Sequence, residues 1–145
     1  MYLRISLLCA AALALLSQAA SASGSNACSD QAFSQDLAGI KDWKGLRQLY
    51  RQYVEVCLDD GFYAEGYSGA VVGVLTKNWP DLKNLQSLTT VDEQFRMFVL
   101  KHVDSTADPD ELNQILRNTR TNCPAGLKEL CHAIEVRAVV AIAGQ

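Results

Sequence analysis

Apolar residues recur along the chain with the spacing of single helical faces. In the segment 43–61 they occupy positions i, i+3, i+4, i+7, i+8 and i+11, namely Leu46, Leu49, Tyr50, Tyr53, Val54 and Cys57. The charged residues of this segment fall on other faces, as in an amphipathic helix, and Gly61 is predicted to end it. The segment 29–43 predicts a shorter helix before it, with Phe33, Leu37 and Ile40 inward.

Helix-start signals predict two helices in the second half of the chain. Thr90 followed by Glu93 is predicted to form a capping box. Asp108 is predicted to cap the next helix, with Pro109 at its first position and Glu111 completing a second box. The apolar residues that follow each signal again lie on one face.

The C-terminal segment carries the longest apolar stripe. We expect its helix to begin near Pro124 and to bury Leu127, Leu130, Cys131, Ile134, Ala138, Ala141 and Ile142. Residues 23–145 contain no convincing period-two pattern between turn signals. The sequence therefore predicts a compact, single-domain, all-α bundle of about six helices.

The stretch GFYAEGYSGAVVGVL, residues 61–75, predicts a helix with one bare face. Gly66, Gly69 and Gly73 share that face, although each glycine costs about 1 kcal/mol relative to alanine inside a helix. We therefore expect another backbone to pack closely there. That backbone belongs either to this chain, which is the favoured interpretation, or to a second subunit or partner.

Neither phosphate binding nor membrane insertion explains these glycines. The spacing matches neither a Walker loop nor a dinucleotide fingerprint, and no strand precedes it. The apolar run from Gly69 to Leu75 is too short to cross a bilayer.

The connection between the third and fourth predicted helices, residues 78–88, is the longest in the domain. Long ordered connections often carry function, so we predict a partner-binding surface there, formed by Trp79, Asp81, Lys83, Asn84 and Gln86. In the alternative interpretation, Trp79 and the leucines of this segment only cover the core.

The first residues predict export from the cell. Arg4 precedes an apolar run that ends at Leu16, and the small residues Ala20-Ser21-Ala22 follow. This is the pattern of a secretory signal peptide over residues 1–22, which leaves a periplasmic domain at 23–145 and no membrane segment after cleavage. Without Arg4 the net charge changes from −3 to −4. A mildly acidic chain is a poor candidate for nucleic acid and favours basic partners.

Four cysteines remain after cleavage, and an even number in an exported chain predicts two disulfides. Three pairings are possible. We favour Cys28–Cys57 and Cys123–Cys131, because each pair joins neighbouring predicted helices. A metal site using Cys123, Cys131 and His132 is the alternative, but zinc sites usually show tighter Cys-x-x-Cys spacing.

No catalytic set stands out. His102 falls on an apolar helical face and is predicted to be a core or rim residue, and His132 lies beside a buried stripe. No nucleophile elbow accompanies either histidine, and the cysteines are expected to be paired. We therefore expect a binding protein that is not an enzyme and needs no cofactor.

The layout resembles the amidase immunity proteins of the type VI secretion system. The matching features are the signal peptide, Cys28 and Cys57 flanking a helix pair, and the segments 61–75, 92–103 and 122–134. The resemblance implies a periplasmic, all-helical homodimer that binds an effector amidase and occludes its cysteine–histidine cleft with a protruding loop. The connection 78–88 is our first candidate for that loop, and the turn 104–108 is the second.

Two other functions fit an exported helical domain. A periplasmic acid-stress chaperone would open at low pH as its carboxylates become protonated. The 16 acidic residues fit that role, but the chain lacks basic tails. A carrier for a small apolar ligand between helices is the third possibility.

Overall fold

The computed structural model describes residues 28–145, and these residues form seven α-helices with no β-strand among them. The predicted signal peptide lies outside the described residues. The helices are α1 Asp30–Ala38, α2 Trp43–Tyr53, α3 Gly61–Lys77, α4 Leu82–Thr90, α5 Glu93–Lys101, α6 Pro109–Thr121 and α7 Lys128–Ala143. The predicted all-α class is therefore confirmed, with one helix more than the six expected.

The core lies where α3 meets its neighbours. α3 packs against α1, α2 and α6, while α6 and α7 form the most extensive helix pair. An aromatic cluster fills the α1 side, where the Phe33 ring contacts Tyr53, Tyr63 and Tyr67 at centroid distances of 4.6–5.1 Å. Such edge-on and tilted aromatic pairs stabilise a core beyond the area that they bury.

Three aspartates start helices in the way that short polar side chains usually do. Asp42 accepts from Gly45 N at 2.8 Å, Asp92 from Phe95 N at 3.0 Å and Asp108 from Asp110 N at 2.9 Å. The predicted cap at Asp108 is confirmed. The predicted cap at Thr90 is wrong, because Thr90 is the last residue of α4 and Asp92 caps α5.

Two other predicted helix ends are also wrong. α2 ends at Tyr53, so Cys57 lies in the connection Val54–Asp60, and Gly61 begins α3. The φ angle of Gly61 is 45°, in the left-handed region that favours glycine, and it marks a sharp change of direction. α7 begins at Lys128, four residues after Pro124.

Two disulfides join the chain in the favoured pairing. Cys28–Cys57 links the start of α1 to the connection after α2, with the Cα atoms 5.4 Å apart. Cys123–Cys131 links the turn before α7 to the first turns of that helix, with the Cα atoms 6.1 Å apart. Both Cα separations are ordinary for disulfides.

No helix among residues 28–145 is both long and apolar enough to span a membrane.

Candidate functional site

The predicted partner-binding connection is folded into the body of the protein. Trp79 begins a short 3₁₀ turn, Trp79–Asp81, which leads directly into α4. Trp79 is only 5% exposed and its indole N–H donates to Asn122 O at 2.9 Å. The prediction that Trp79 is a surface anchor is therefore wrong. The alternative interpretation, in which Trp79 covers the core, agrees with the structure.

The four polar residues predicted with Trp79 remain at the surface but do not converge on one site. Asp81, Lys83 and Asn84 are exposed and Gln86 is half-buried. Asp81 and Asn84 line a shallow groove of about 380 Å³, whereas Gln86 lines a different groove of about 420 Å³ beside α7. The helical turn sends alternate side chains to different sides of α4, so sequence proximity does not produce a single patch.

The bare face of α3 is open rather than covered by a second backbone. A Cβ placed on Gly66 would meet Phe33 Cε1 at 2.7 Å and Leu37 Cδ1 at 2.8 Å, which are side-chain atoms of α1. A Cβ on Gly69 or Gly73 would meet nothing within 4 Å. The favoured expectation of close backbone packing within the chain is therefore wrong at Gly69 and Gly73.

A groove of about 620 Å³ lies along this face. Its lining includes apolar residues from α1, the three glycines and Val74, and also Lys41 and Lys77. The groove is open to solvent along its length, so it does not enclose a ligand in the way that a carrier cavity does.

A buried polar cluster joins α3 to the end of α5. Ser68 is fully buried and His102 is 1% exposed, and Ser68 Oγ lies 3.1 Å from His102 Nδ1. Ser68 Oγ also donates to Asp104 Oδ2 at 2.8 Å. The prediction that His102 is a core residue is confirmed.

Asp59 completes the cluster from the connection between α2 and α3. Asp59 Oδ1 lies 3.3 Å from His102 Nε2 without an aligned hydrogen bond, and Asp59 Oδ2 pairs with Lys101 Nζ. A neutral imidazole carries one N–H, so it can donate towards Ser68 or towards Asp59 but not to both. When Ser68 uses its single hydroxyl proton to donate to Asp104, one of these two contacts therefore lacks a proton while His102 is neutral.

Burial decides the charge of His102. It lowers the pKa of His102 below the usual value, and the nearby negative charge of Asp59 opposes that shift. Burial also acts to raise the pKa of Asp104, but hydrogen bonds from Thr106 and Ser68 outweigh it and that pKa is lowered. Near neutral pH the cluster thus combines a neutral His102 with the ionised carboxylate of Asp104.

The cluster contains serine, histidine and aspartate, yet it has no access for a substrate. Its nucleophile and base are the two most buried members, and Ser68 sits inside α3 rather than on an exposed turn. A catalytic serine must reach the substrate carbonyl, so this arrangement serves to hold elements together. The sequence did not reveal it, because Asp59, Ser68 and His102 come from three separate segments.

The second histidine and the remaining cysteines form no metal site. His132 is exposed, and Cys123 and Cys131 are joined to each other. Within residues 28–145 no group of three potential ligands is arranged to hold a metal ion.

No family model, curated protein or solved structure matches this chain. The function is therefore inferred from the residue-level resemblance and from the geometry of residues 28–145.

Proposed function

We propose that this chain is a periplasmic immunity protein that binds and inhibits a cell-wall amidase effector of the type VI secretion system. The observation that carries the proposal is the burial of Ser68 and His102 in a scaffold with two disulfides. Ser68 and His102, which resemble catalytic groups, are buried and contribute to packing. The exposed surface is the part of the molecule that is available for binding. Such a molecule is suited to binding.

An inhibitor of this kind needs a rigid scaffold more than it needs chemistry. Each disulfide restricts the unfolded chain and contributes about 2–4 kcal/mol, which helps to keep the binding surface preorganised. Preorganisation lowers the ordering cost that a partner complex would otherwise carry. The acidic net charge speeds encounter with a basic enzyme, since opposite charges steer diffusion.

The homodimer remains part of the proposal. The groove along Gly66, Gly69 and Gly73 leaves room for a second subunit, which is the second of the two interpretations that the glycine face allows. Asp81, Lys83 and Asn84 stay candidates for polar contacts, and Trp79 is no longer one.

Co-expression with a cell-wall amidase effector of the type VI secretion system from the same organism tests the proposal. We expect periplasmic expression of that amidase to lyse cells, and expression of this chain to prevent lysis and to form a complex that survives gel filtration. A periplasmic domain without its disulfides, with all four cysteines changed to serine, serves as the control for folding. Continued lysis together with the absence of a complex would exclude the immunity function.

An acid-stress chaperone is the second candidate, and the buried cluster favours it. Protonation of His102 in the core is unfavourable, and its charged neighbours are Asp59, Lys101 and Asp104. A chaperone would expose apolar surface at acidic pH and would keep acid-denatured clients soluble. Dye binding and client aggregation across the acidic range, at constant ionic strength, distinguish the two functions, because an immunity protein should show no client protection.

A further inference from the structure

The connection Val54–Asp60 presents apolar side chains to solvent. Leu58 is 77% exposed and Val56 is 55% exposed, and Phe62 in the first turn of α3 is also exposed. A single exposed apolar residue is ordinary, but three within seven residues form a local patch. Six Cα–Cα steps separate Val56 from Phe62, so the patch extends over less than about 23 Å.

Leu58 is held between two fixed neighbours. Cys57 is bonded to Cys28, and Asp59 pairs with Lys101 and lies beside His102. The backbone before Leu58 is also tied down, since Cys57 N donates to Tyr53 O at 2.7 Å. The fold therefore fixes the chain on both sides of Leu58 and leaves the side chain of Leu58 outside.

Uncompensated negative charges flank the patch. Glu55 and Asp60 are exposed, and neither forms an ion pair with any residue of the described chain. The connection itself contains no basic residue, and Lys101 at the end of α5 is already paired with Asp59. A complementary partner therefore has an apolar recess for Leu58 and positive charge at its rim.

Val91 is an exposed apolar residue that can be compared with Leu58. It is 76% exposed, nearly the same as Leu58, but its neighbour Asp92 pairs with Arg47 and Arg51. Val91 precedes α5 and Asp59 pairs with Lys101 at its end, so the two lie towards opposite ends of a nine-residue helix about 13 Å long. Val91 thus provides a matched control on the same molecule.

We propose that Val54–Asp60, with Val56 and Leu58 as apolar anchors and Glu55 and Asp60 as flanking charges, is the surface that docks into a partner protein with a basic-rimmed apolar cleft. This inference rests on the proposed function, and it identifies the cleft as that of the effector amidase. The surface is preorganised by Cys28–Cys57 and Asp59, so little chain ordering accompanies binding.

The test measures inhibition of a type VI cell-wall amidase effector from the same organism by wild-type protein, Leu58→Ser, Val56→Ser and Val91→Ser. We expect Leu58→Ser to weaken inhibition at least about 30-fold, as for a central anchor, and Val91→Ser to leave it within about threefold. Glu55→Gln with Asp60→Asn should weaken inhibition at low salt and lose most of that effect at high salt. All variants should keep the wild-type Tm within about 2 °C, because the changed side chains are exposed.

The outcomes separate this inference from the proposed function. Wild-type protein that fails to inhibit the amidase contradicts the proposed function itself. Wild-type protein that inhibits, with Leu58→Ser equally effective, contradicts only the assignment of this surface. If the Tm of Leu58→Ser falls by several degrees, residues before Cys28 cover the patch. If Leu58→Ser loses self-association in parallel with inhibition, a second copy of the chain covers it. Either result would also overturn the assignment.

Discussion

Two connections of this protein behave in opposite ways. Residues 78–88 were predicted to project as a binding segment, and they fold into a 3₁₀ turn and a helix whose apolar side chains enter the core. Val54–Asp60 was predicted as the end of a helix, and it is an irregular segment that holds Leu58 outside. In residues 78–88, the leucines that recur every three residues indicate burial, although turn residues precede them. In Val54–Asp60, the Cys28–Cys57 disulfide fixes the chain so that Leu58 stays exposed to solvent.

The largest expected effect concerns the two apolar side chains that distinguish these connections. Trp79→Ala should lower the free energy of unfolding by about 3–5 kcal/mol, because it leaves a cavity and removes the indole hydrogen bond. Leu58→Ala should change it by less than about 0.5 kcal/mol. Urea unfolding of both variants checks the comparison, with Trp79→Phe as the control that keeps an aromatic ring and removes the indole N–H. Equal losses for Trp79→Ala and Leu58→Ala would show that the two connections do not differ in burial.

The Cys28–Cys57 disulfide, which fixes Val54–Asp60, should contribute more to the stability of the fold than the Cys123–Cys131 disulfide near α7. Its sequence separation is 29 residues against 8, so replacing Cys28 and Cys57 by serine should cost about 1 kcal/mol more than replacing Cys123 and Cys131. Both losses should fall near about 2–4 kcal/mol. Denaturant unfolding measures the two, and amide hydrogen exchange should rise at residues 56–60 only in the first variant. Unchanged exchange there would mean that other contacts hold Leu58.

Alanine substitutions on the glycine face of α3 should change the stability of the fold in opposite directions at different positions. Gly66→Ala should destabilise the fold by about 1–3 kcal/mol, because the new Cβ would press on the buried Phe33 ring. Gly69→Ala should stabilise it by up to about 1 kcal/mol, since the methyl group enters open space and alanine favours helix. Thermal unfolding at low protein concentration tests the pair. A destabilising Gly69→Ala at high concentration only would place a second subunit in the groove.

The smallest expected effect is the pH dependence of stability contributed by His102, which lies beside Asp59. The pKa of His102 is lower in the folded chain than in the unfolded chain, so the unfolded chain takes up the proton first. The contribution of neutral His102 to stability is therefore complete above about pH 6.5, the usual pKa in the unfolded chain, and is lost as the pH falls from there through the lower pKa of the folded chain. Urea unfolding between pH 7.5 and 5 should show this loss.

His132 provides the control for this titration. His102→Asn should flatten the slope between pH 7.5 and 5, whereas His132→Asn should keep it, because His132 is exposed. The carboxylates with lowered pKa values, Asp92 and Asp104, lose their contributions only at lower pH. Equal slopes in all three proteins would remove His102 from the acid response.

Local patterns were sufficient for the elements that depend on short-range physics. The amphipathic period predicted α2, and Asp108 with Pro109 marked the start of α6, because capping and helical periodicity act within one or two turns. Exact ends were harder, since Tyr53 rather than Cys57 ends α2 and Asp92 competes with Thr90 as a cap. Neighbouring polar residues offer similar local energies, and packing chooses between them.

The sequence alone determined the all-α class and the core stripes of the long helices, because helical periodicity is a local property. It also favoured, among three possible pairings, Cys28 with Cys57 and Cys123 with Cys131, because each pair joins neighbouring predicted helices. Tertiary structure decided which side chains of each connection are buried and which are exposed. It buried Trp79, opened the face at Gly69 and Gly73, and exposed Leu58 between a disulfide and an ion pair. These outcomes depend on contacts between segments far apart in the chain, such as Asp59 with Lys101, for which a single sequence contains no local signal.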